Sequence, residues 1–382
     1  MTQDILLLTP GPTPLHPRAQ AALSWPTRSH MDPDVFAYND RIVADLHELY
    51  GAAPGAFASL LSGTGSLGME AGFANLLEPG DRVLIVSNGV FGERMIEMAT
   101  RLGADVRPLR FAASAPVDAP RVRTLAQRVR PKLLALVHGE TSTGVINPVA
   151  EVSDIAAEVG ALYSVDAVTT VGMLPFDMTA LGVDYAYTGS QKCLSAPPGL
   201  APVVFSERAM QSVRKRKTPV STWYADAAGM EAYWAVGSAG RNYHHTVPVQ
   251  LHWATGEALR AALDEGIEAR TKRVTYVGEA ALHALETAGF SAHIPEAYRL
   301  PTVLAVRLPE GLDDASVRRQ LREEYFISVT GGLGETAGKI WRLGLMGETA
   351  RAEHYSRLMS ALAEILKAPH LPGVFHEALA LV

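Results

Sequence analysis

Two short apolar runs end in residues that together suit one kind of chemistry. Tyr185-Ala186-Tyr187 leads through Thr188-Gly189-Ser190-Gln191 to Lys192, and Leu162-Tyr163-Ser164-Val165 ends in Asp166. A lysine amine can hold an aldehyde as a Schiff base. A poorly solvated aspartate can keep a pyridine nitrogen protonated, so that the ring draws electrons from the bound substrate. This is the pairing that pyridoxal phosphate requires. Either residue alone carries little weight, because a lysine just past a strand is ordinarily a solvated loop residue.

Two further segments join them. Leu60-Leu61-Ser62-Gly63-Thr64-Gly65-Ser66 precedes a helical run from Leu67 to Leu77. Such a turn offers backbone N–H groups, hydroxyls and the positive end of a helix dipole to an anion such as phosphate. It lacks the lysine of a nucleotide-binding loop and the spacing with a distal acid of a dinucleotide site. Asn88-Gly89-Val90-Phe91-Gly92 follows a strand over Arg82 to Val86 and precedes a helix expected from near Glu93. An aromatic ring between glycines at a strand's carboxyl end can lie flat on a planar ligand. In isolation Phe91 reads rather as a core plug and the Gly-rich turn as a steric corner. Placed on successive strand ends, where open α/β sheets bind ligands, the four parts read together as one site.

With these segments in hand, the chain resembles the class V (fold type I) pyridoxal phosphate aminotransferases, and within them the alanine–glyoxylate and serine–pyruvate enzymes. The resemblance runs from Leu6-Leu7-Leu8-Thr9-Pro10-Gly11-Pro12 through Leu77-Glu78-Pro79-Gly80-Asp81 and His138-Gly139-Glu140-Thr141-Ser142-Thr143-Gly144. It continues with Ala196-Pro197-Pro198-Gly199, Tyr243-His244-His245-Thr246, Gly331-Gly332-Leu333-Gly334 and Arg342-Leu343-Gly344-Leu345. It implies that Lys192 is the Schiff-base lysine and Asp166 the partner of the pyridine nitrogen, with Val168 on the ring face opposite Phe91. Thr64, Gly65 and Ser66 match the phosphate cup, Gln191 donates to the phosphate, and Thr141 lies near the cofactor's phenolic oxygen and the substrate. Tyr243 and Thr246 would reach the phosphate of a neighbouring subunit, making a homodimer with shared active sites. Arg342 matches the clamp on the substrate's α-carboxylate, with the Gly11 backbone beside it. Ser66 and Phe91 depart from the histidine and tryptophan of the animal enzymes.

The elements that must position these residues are legible as a pattern. Continuous apolar runs at Phe57 to Leu61, Val83 to Val86, Leu133 to Val137, Leu162 to Val165, Tyr185 to Tyr187 and Pro202 to Phe205 predict buried strands of a mostly parallel sheet. Helices over Phe91 to Leu102 and Val149 to Val159 close at Gly103 and Gly160. The fold class is therefore α/β, with a large doubly wound domain and a smaller C-terminal α+β domain; the resemblance implies that this is the fold type I transferase architecture. The expected division is an arm over 1–20 that contributes to the site, a large domain over 21–250 and a small one over 251–382. Residues 216 to 246, with Pro219, Trp223, Tyr224, Trp234, Gly237, Gly240 and Tyr243, read as an irregular segment packed against a partner. A long helical region is expected from Val247 to about Ala288. Beyond Gly289, strands at Val303 to Arg307, Ile327 to Val329 and Ile340 to Leu343 alternate with helices at Asp313 to Glu324 and Arg351 to Leu366.

Composition limits the alternatives. A chain of 382 residues exceeds one ordinary domain, and a formal net charge of −6 with no basic stripe disfavours nucleic acid. The one basic run, Arg214-Lys215-Arg216-Lys217, reads as a solvated helix end. The single cysteine, Cys193, precludes an internal disulfide, and next to Lys192 it is badly placed for a desulfurase nucleophile. His138, His244 and His245 have no third ligand at metal spacing nearby, so no metal is expected. The start Met1-Thr2-Gln3-Asp4 lacks a basic region, and no run approaches the ~20 apolar residues that cross a bilayer. A cytoplasmic enzyme is the expectation. The substrates expected are alanine or serine with glyoxylate or pyruvate, exchanged by a ping-pong cycle. Other readings are a phosphonate aminotransferase or a lyase of the same fold, or a catalytically silent binding protein.

Overall fold

The computed structural model describes residues 4–237 and 241–381. A seven-stranded sheet lies in the order Phe57–Ser62, Leu200–Phe205, Tyr185–Tyr187, Leu162–Asp166, Leu133–Val137, Arg82–Ser87, Asp105–Arg110. Leu200–Phe205 runs antiparallel to both of its neighbours, and the remaining pairs are parallel. The central strands are buried along their whole length, as continuous apolar runs covered on both faces should be. The edge strand Asp105–Arg110 went unread in the sequence because it carries Asp105, Arg107, Pro108 and Arg110 and is partly exposed. Charge and proline on an edge discourage pairing with another chain, and they also erase the apolar signal.

Helices Gly65–Leu76, Val90–Arg101 and Val149–Val159 follow sheet strands, and the last ends on Gly160 in the left-handed region. The helix after Arg82–Ser87 begins at Val90, one residue ahead of the expected run from Phe91 and three ahead of Glu93, so Phe91 sits in its first turn. The buried Glu140 carboxylate accepts from the Phe91 and Gly92 amides at 3.1 and 3.4 Å, and Ser142 Oγ accepts from the Val90 amide at 3.0 Å. These acceptors satisfy N–H groups that a helix start leaves without partners.

The segment 216–246 is not wholly irregular. Asp226 caps a helix over Ala227–Trp234 that buries Met230, Tyr233 and Trp234; Gly240 lies outside the described residues. Arg214 closes the helix Glu207–Arg214, while Arg216 is tied down rather than solvated, donating to the carbonyls of Asn75 and Leu77 at 2.9 and 2.6 Å. The long helical region expected from Val247 consists of two helices, Val249–Glu265 and Ile267–Thr287, parted at Gly266 with φ 84° and ψ 135°. That backbone suits glycine and interrupts the hydrogen-bond ladder.

Two hydrophobic clusters organise the packing. One gathers the large sheet and its helices and includes Trp253, Ala258 and Leu259 of the helix Val249–Glu265. The other gathers Val274 to Leu285, the antiparallel sheet Ser291–Ala292, Val303–Arg307, Ile340–Gly344, Thr330–Gly331, and the C-terminal helices. Leu6–Leu7 adds a parallel strand to Ile327–Ser328 in this second unit. The arm then crosses to the large sheet, where Thr13 Oγ1 donates to the carbonyls of Gln191 and Lys192 at 3.3 and 3.2 Å. No helix among the described residues is long and apolar enough to cross a membrane.

Candidate active site

The carboxyl ends of the parallel strands open on a cavity of about 210 Å³. Its lining includes Thr64, Gly65, Ser66, Phe91, Thr141, Asp166, Val168, Gln191 and Lys192, so nine residues singled out in the sequence meet in one place. They arrive from five strand ends or the segments after them, as ligand sites in open α/β sheets do.

Lys192 stands in a turn that begins two residues after Tyr185–Tyr187 and is held from three sides. Its own amide donates to the Gly189 carbonyl, Thr13 grips the carbonyls before and at it, and Arg270 Nη2 donates to the Cys193 carbonyl at 2.7 Å. Arg270 is buried, donates through Nε to the Gly172 carbonyl at 2.5 Å and pairs with Glu265. The Lys192 amine donates to the Pro10 carbonyl at 2.6 Å. Burial pulls its pKa below the ordinary lysine value, which favours the neutral amine that a nucleophile or base needs. Gly11 touches the same side chain. Its φ is +94°, a backbone conformation that requires glycine, and a Cβ there would fall 2.5 Å from Lys192 Cδ and displace the lysine side chain.

Asp166 ends its strand 3% exposed. Its Oδ1 accepts from the Val168 amide at 2.9 Å and its Oδ2 from the Tyr187 hydroxyl at 2.8 Å. Burial dominates and pushes its pKa up to about 6, with the nearby Glu140 charge adding to the rise. A buried carboxylate whose charged form is this poorly supported gains strongly from a cationic partner. The Tyr187 contact was invisible in the string. It arises because parallel pairing sets Asp166 opposite Tyr187, a register that apolar runs do not encode.

Thr64 occupies the N-cap of Gly65–Leu76 without capping through its side chain, leaving the first amides of that helix free for an anion. Gln191 adds a buried side-chain amide whose Oε1 has no partner; with the amide turned over, that position becomes a donor. Arg94, unnoticed in the sequence, also lines the cavity and donates to Ser66 Oγ at 3.0 Å. It lies three residues after Phe91 on the same helix, a spacing that puts both on one face. The donors at one end of the cavity, the buried acid and the desolvated lysine fit a phosphorylated pyridine aldehyde.

Four of the expected residues do not line this cavity. Gly11 abuts Lys192 from the arm, as described. Arg342 is 4% exposed on Ile340–Gly344, held by the carbonyls of Gly331 through Nε at 3.0 Å and of Thr141 through Nη1 at 3.1 Å. Tyr243 is 61% exposed, its hydroxyl 3.4 Å from Thr246 Oγ1, so both face outward from this chain. His244 and His245 bond to each other through their Nδ1 atoms at 2.8 Å, and among the described residues no group of His, Cys, Asp and Glu gathers at metal-binding geometry. Cys193 is buried with its thiol pushed up to about 12, chiefly by burial, which makes it a poor nucleophile.

The architecture and this site define a fold type I pyridoxal phosphate enzyme. An aminotransferase class-V family model matches residues 43–352. The chain is 34% identical to the alanine–glyoxylate aminotransferase of Oryctolagus cuniculus, covering 96% of this chain and 93% of that one. Among solved structures, alanine–glyoxylate aminotransferase from Nostoc sp. superposes with a TM-score of 0.92 at 41% identity, covering 96% of each chain. Ureidoglycine–glyoxylate aminotransferase from Bacillus subtilis does so with a TM-score of 0.96 at 32% identity, covering 100% of this chain and 99% of that one. The protein belongs to the class-V aminotransferases. It is a pyridoxal phosphate-dependent transaminase that moves an amino group from an amino acid to an oxo acid, and its relatives do not favour the lyase, phosphonate or non-catalytic readings.

Proposed function

We propose that the physiological pair is a small amino donor, alanine or serine, and a small acceptor, glyoxylate or pyruvate, exchanged in a ping-pong cycle. The observation that carries this reading is the desolvated Lys192 amine beneath the Pro10–Gly11 backbone, in the same cavity as the buried Asp166. The close approach of Gly11 to Lys192 narrows the space for a side chain on the reacting carbon. The names of the relatives, two glyoxylate aminotransferases among them, support the acceptor.

Pyridoxal phosphate, when bound, supplies the aldehyde carbon that accepts the amino group and the ring that withdraws electrons from the substrate. In this proposal Lys192 Nζ would hold that aldehyde and, once released, would accept the proton that leaves the substrate's Cα. Its lowered pKa suits that transfer near neutral pH. Asp166 holds the proton on the pyridine nitrogen, and Tyr187 and the Val168 amide orient its carboxylate. Phe91 and Val168 would pack on the two faces of the ring. Thr64, Gly65, Ser66 and Gln191 would hold the phosphate, and Thr141 would lie beside the phenolic oxygen and the substrate. Arg342 grips the α-carboxylate through the N–H groups that the Gly331 and Thr141 carbonyls leave free. The first oxo acid leaves before the second enters.

A homodimer would complete the site. Tyr243 at 61% and Trp223 at 65% are large aromatic side chains exposed on the single chain, which supports their burial against a second copy, where Tyr243 and Thr246 would reach the partner's phosphate. The proposed division is an arm over 1–20, a large domain over 21–250 and a small domain over 251–382, with the helix to Glu265 still packed on the first core. The proposed compartment is the cytoplasm, supported by the single buried cysteine.

A panel of amino donors against glyoxylate, pyruvate and 2-oxoglutarate, with detection of the oxo acid formed, tests the substrate assignment. Preference for a long or acidic donor would overturn it. Lys192→Ala tests the chemistry: the folded variant should lose the visible absorbance of lysine-linked cofactor and all turnover. Retention of both would remove Lys192 from its role.

A further inference from the structure

Arg94 and Lys192 are the two cationic side chains that line the cavity. The lysine amine is engaged with the Pro10 carbonyl. Arg94 has no carboxylate partner at ion-pair distance among the described residues. Its interactions are with neutral groups, Ser66 Oγ at 3.0 Å and the Phe91 ring, whose centroid lies 4.9 Å from the guanidinium carbon. A guanidinium carries five N–H donors, so most of this one's capacity is unused. An arginine half-buried without an anion, beside a helix start whose amides are also free, marks a place prepared for negative charge.

The charge balance at that place is incomplete without Arg94. A phosphate monoester carries about −1.5 to −2 near pH 7. The helix N-terminus contributes roughly +0.5. Thr64, Ser66 and Gln191 donate hydrogen bonds but no charge. About one unit of negative charge is left, which one guanidinium matches in sign, size and forked geometry. Its field already reaches the neighbouring groups, since Arg94 adds to the lowering of the Lys192 pKa that burial begins.

We propose that Arg94 is the cationic partner of the cofactor phosphate, delivered by the same helix that carries Phe91 and oriented by Ser66. This rests on the reading of the Thr64–Ser66 turn as the phosphate end of the cavity. Phe91 and Arg94, one helical turn apart, thereby hold the ring and the phosphate from a single rigid element.

The test compares two probes on cofactor-free protein, pyridoxal 5′-phosphate and pyridoxal, which lacks the phosphate, by equilibrium dialysis and fluorescence quenching. For Arg94→Gln, the Kd of pyridoxal 5′-phosphate should rise about 10- to 100-fold, or ~1.4 to 2.8 kcal/mol at 1.4 per tenfold. Pyridoxal binding should change by less than about 2-fold, taking the charged contact as the only one lost. Arg94→Lys should fall between, keeping the charge and losing the fork, and thermal unfolding of both variants checks that they fold. Equal weakening of both probes would overturn the proposal in favour of a structural role. Unchanged cofactor affinity with a raised KM for an amino acid would overturn it in favour of a substrate contact. If the wild-type protein itself bound the two probes equally, the phosphate reading of the turn would fail first, and Arg94's role would fall with it.

Discussion

Replacing Arg342 separates the proposed recognition of the α-carboxylate from support of the fold, because its guanidinium is only partly engaged by backbone carbonyls. Nε and Nη1 each give a proton to a backbone carbonyl, of Gly331 and Thr141. Three of the five N–H groups remain, enough for a two-bond grip on a carboxylate. The side chain is 4% exposed and burial lowers its pKa, so the charge is poorly solvated and an anion in contact with it is strongly favoured. Deleting one partner of such a pair costs roughly 2 to 5 kcal/mol. For Arg342→Ala, kcat/KM with an amino acid should therefore fall about 30-fold to several-thousand-fold, at ~1.4 kcal/mol per tenfold. The variant also strands two carbonyls, so its stability should drop by about 2 to 4 kcal/mol, which thermal unfolding measures independently. Arg342→Lys keeps a charge and one or two donors; its kinetic loss should be smaller than that of the alanine variant. The discriminating assay compares alanine with an alkylamine that lacks the carboxylate. The loss should appear with alanine and be nearly absent with the amine. Equal losses for both would show that Arg342 acts on the fold or on cofactor placement, and the carboxylate clamp would be refuted.

Asp166→Asn should bind cofactor yet turn over far more slowly, since an amide cannot hold the pyridinium proton as an ion pair. In the cofactor-free protein it should also be the more stable form at neutral pH. The folded Asp166 pKa of about 6 lies above its ordinary 3.8, so folding retains a proton that the unfolded chain releases and stability falls as pH rises through that window. The gap between variant and wild type should approach about 3 kcal/mol at pH 7 and close near pH 4, read by thermal unfolding; a gap independent of pH would refute it. Tyr243→Ala should weaken cofactor retention if the residue serves a neighbouring site, and sedimentation of a fully active monomer at assay concentration would sink that idea. Arg270→Ala should lower the urea midpoint and kcat together by orphaning the Gly172 and Cys193 carbonyls that fix the lysine turn, with partial rescue by Arg270→Lys. A variant with wild-type kcat would show that the turn holds its shape without it.

What was legible in the sequence follows physical range. Strands Leu133–Val137 and Leu162–Asp166 and the helix Val149–Val159 stand where their apolar runs and Gly160 put them, because burial and capping are local signals. Residues on strand ends, such as Thr64, Asp166 and Lys192, were readable for the same reason. Asp105–Arg110 was not, since an edge strand's charges oppose the apolar pattern. The break at Gly266 was passed over because helical periodicity continues on both sides of it. Tyr187, Glu140, Arg270 and Arg94 could not be found, since each acts through a partner supplied by pairing register or by packing across the chain. Arg94 had one faint local cue: it follows Phe91 by three residues in what reads as a helix.

The segment Gly139–Ser142 shows why these long-range partners matter to the chemistry. Glu140 and Ser142 anchor the helix that presents Phe91 and Arg94, while the Thr141 carbonyl orients Arg342. The same Glu140 charge helps raise the Asp166 pKa and opposes the fall in that of Arg342. Its own carboxyl is raised by burial and drawn back by the amides and hydroxyl it accepts from. One buried carboxylate thus sets the position of the proposed ring stack and biases the two groups proposed to handle the pyridine nitrogen and the substrate carboxylate. A buried acid with that many obligations is costly unless each lone pair is used, and Glu140 uses its two oxygens on four donors. The cavity's geometry is therefore fixed less by the residues that would touch cofactor than by a carboxylate lying outside its lining.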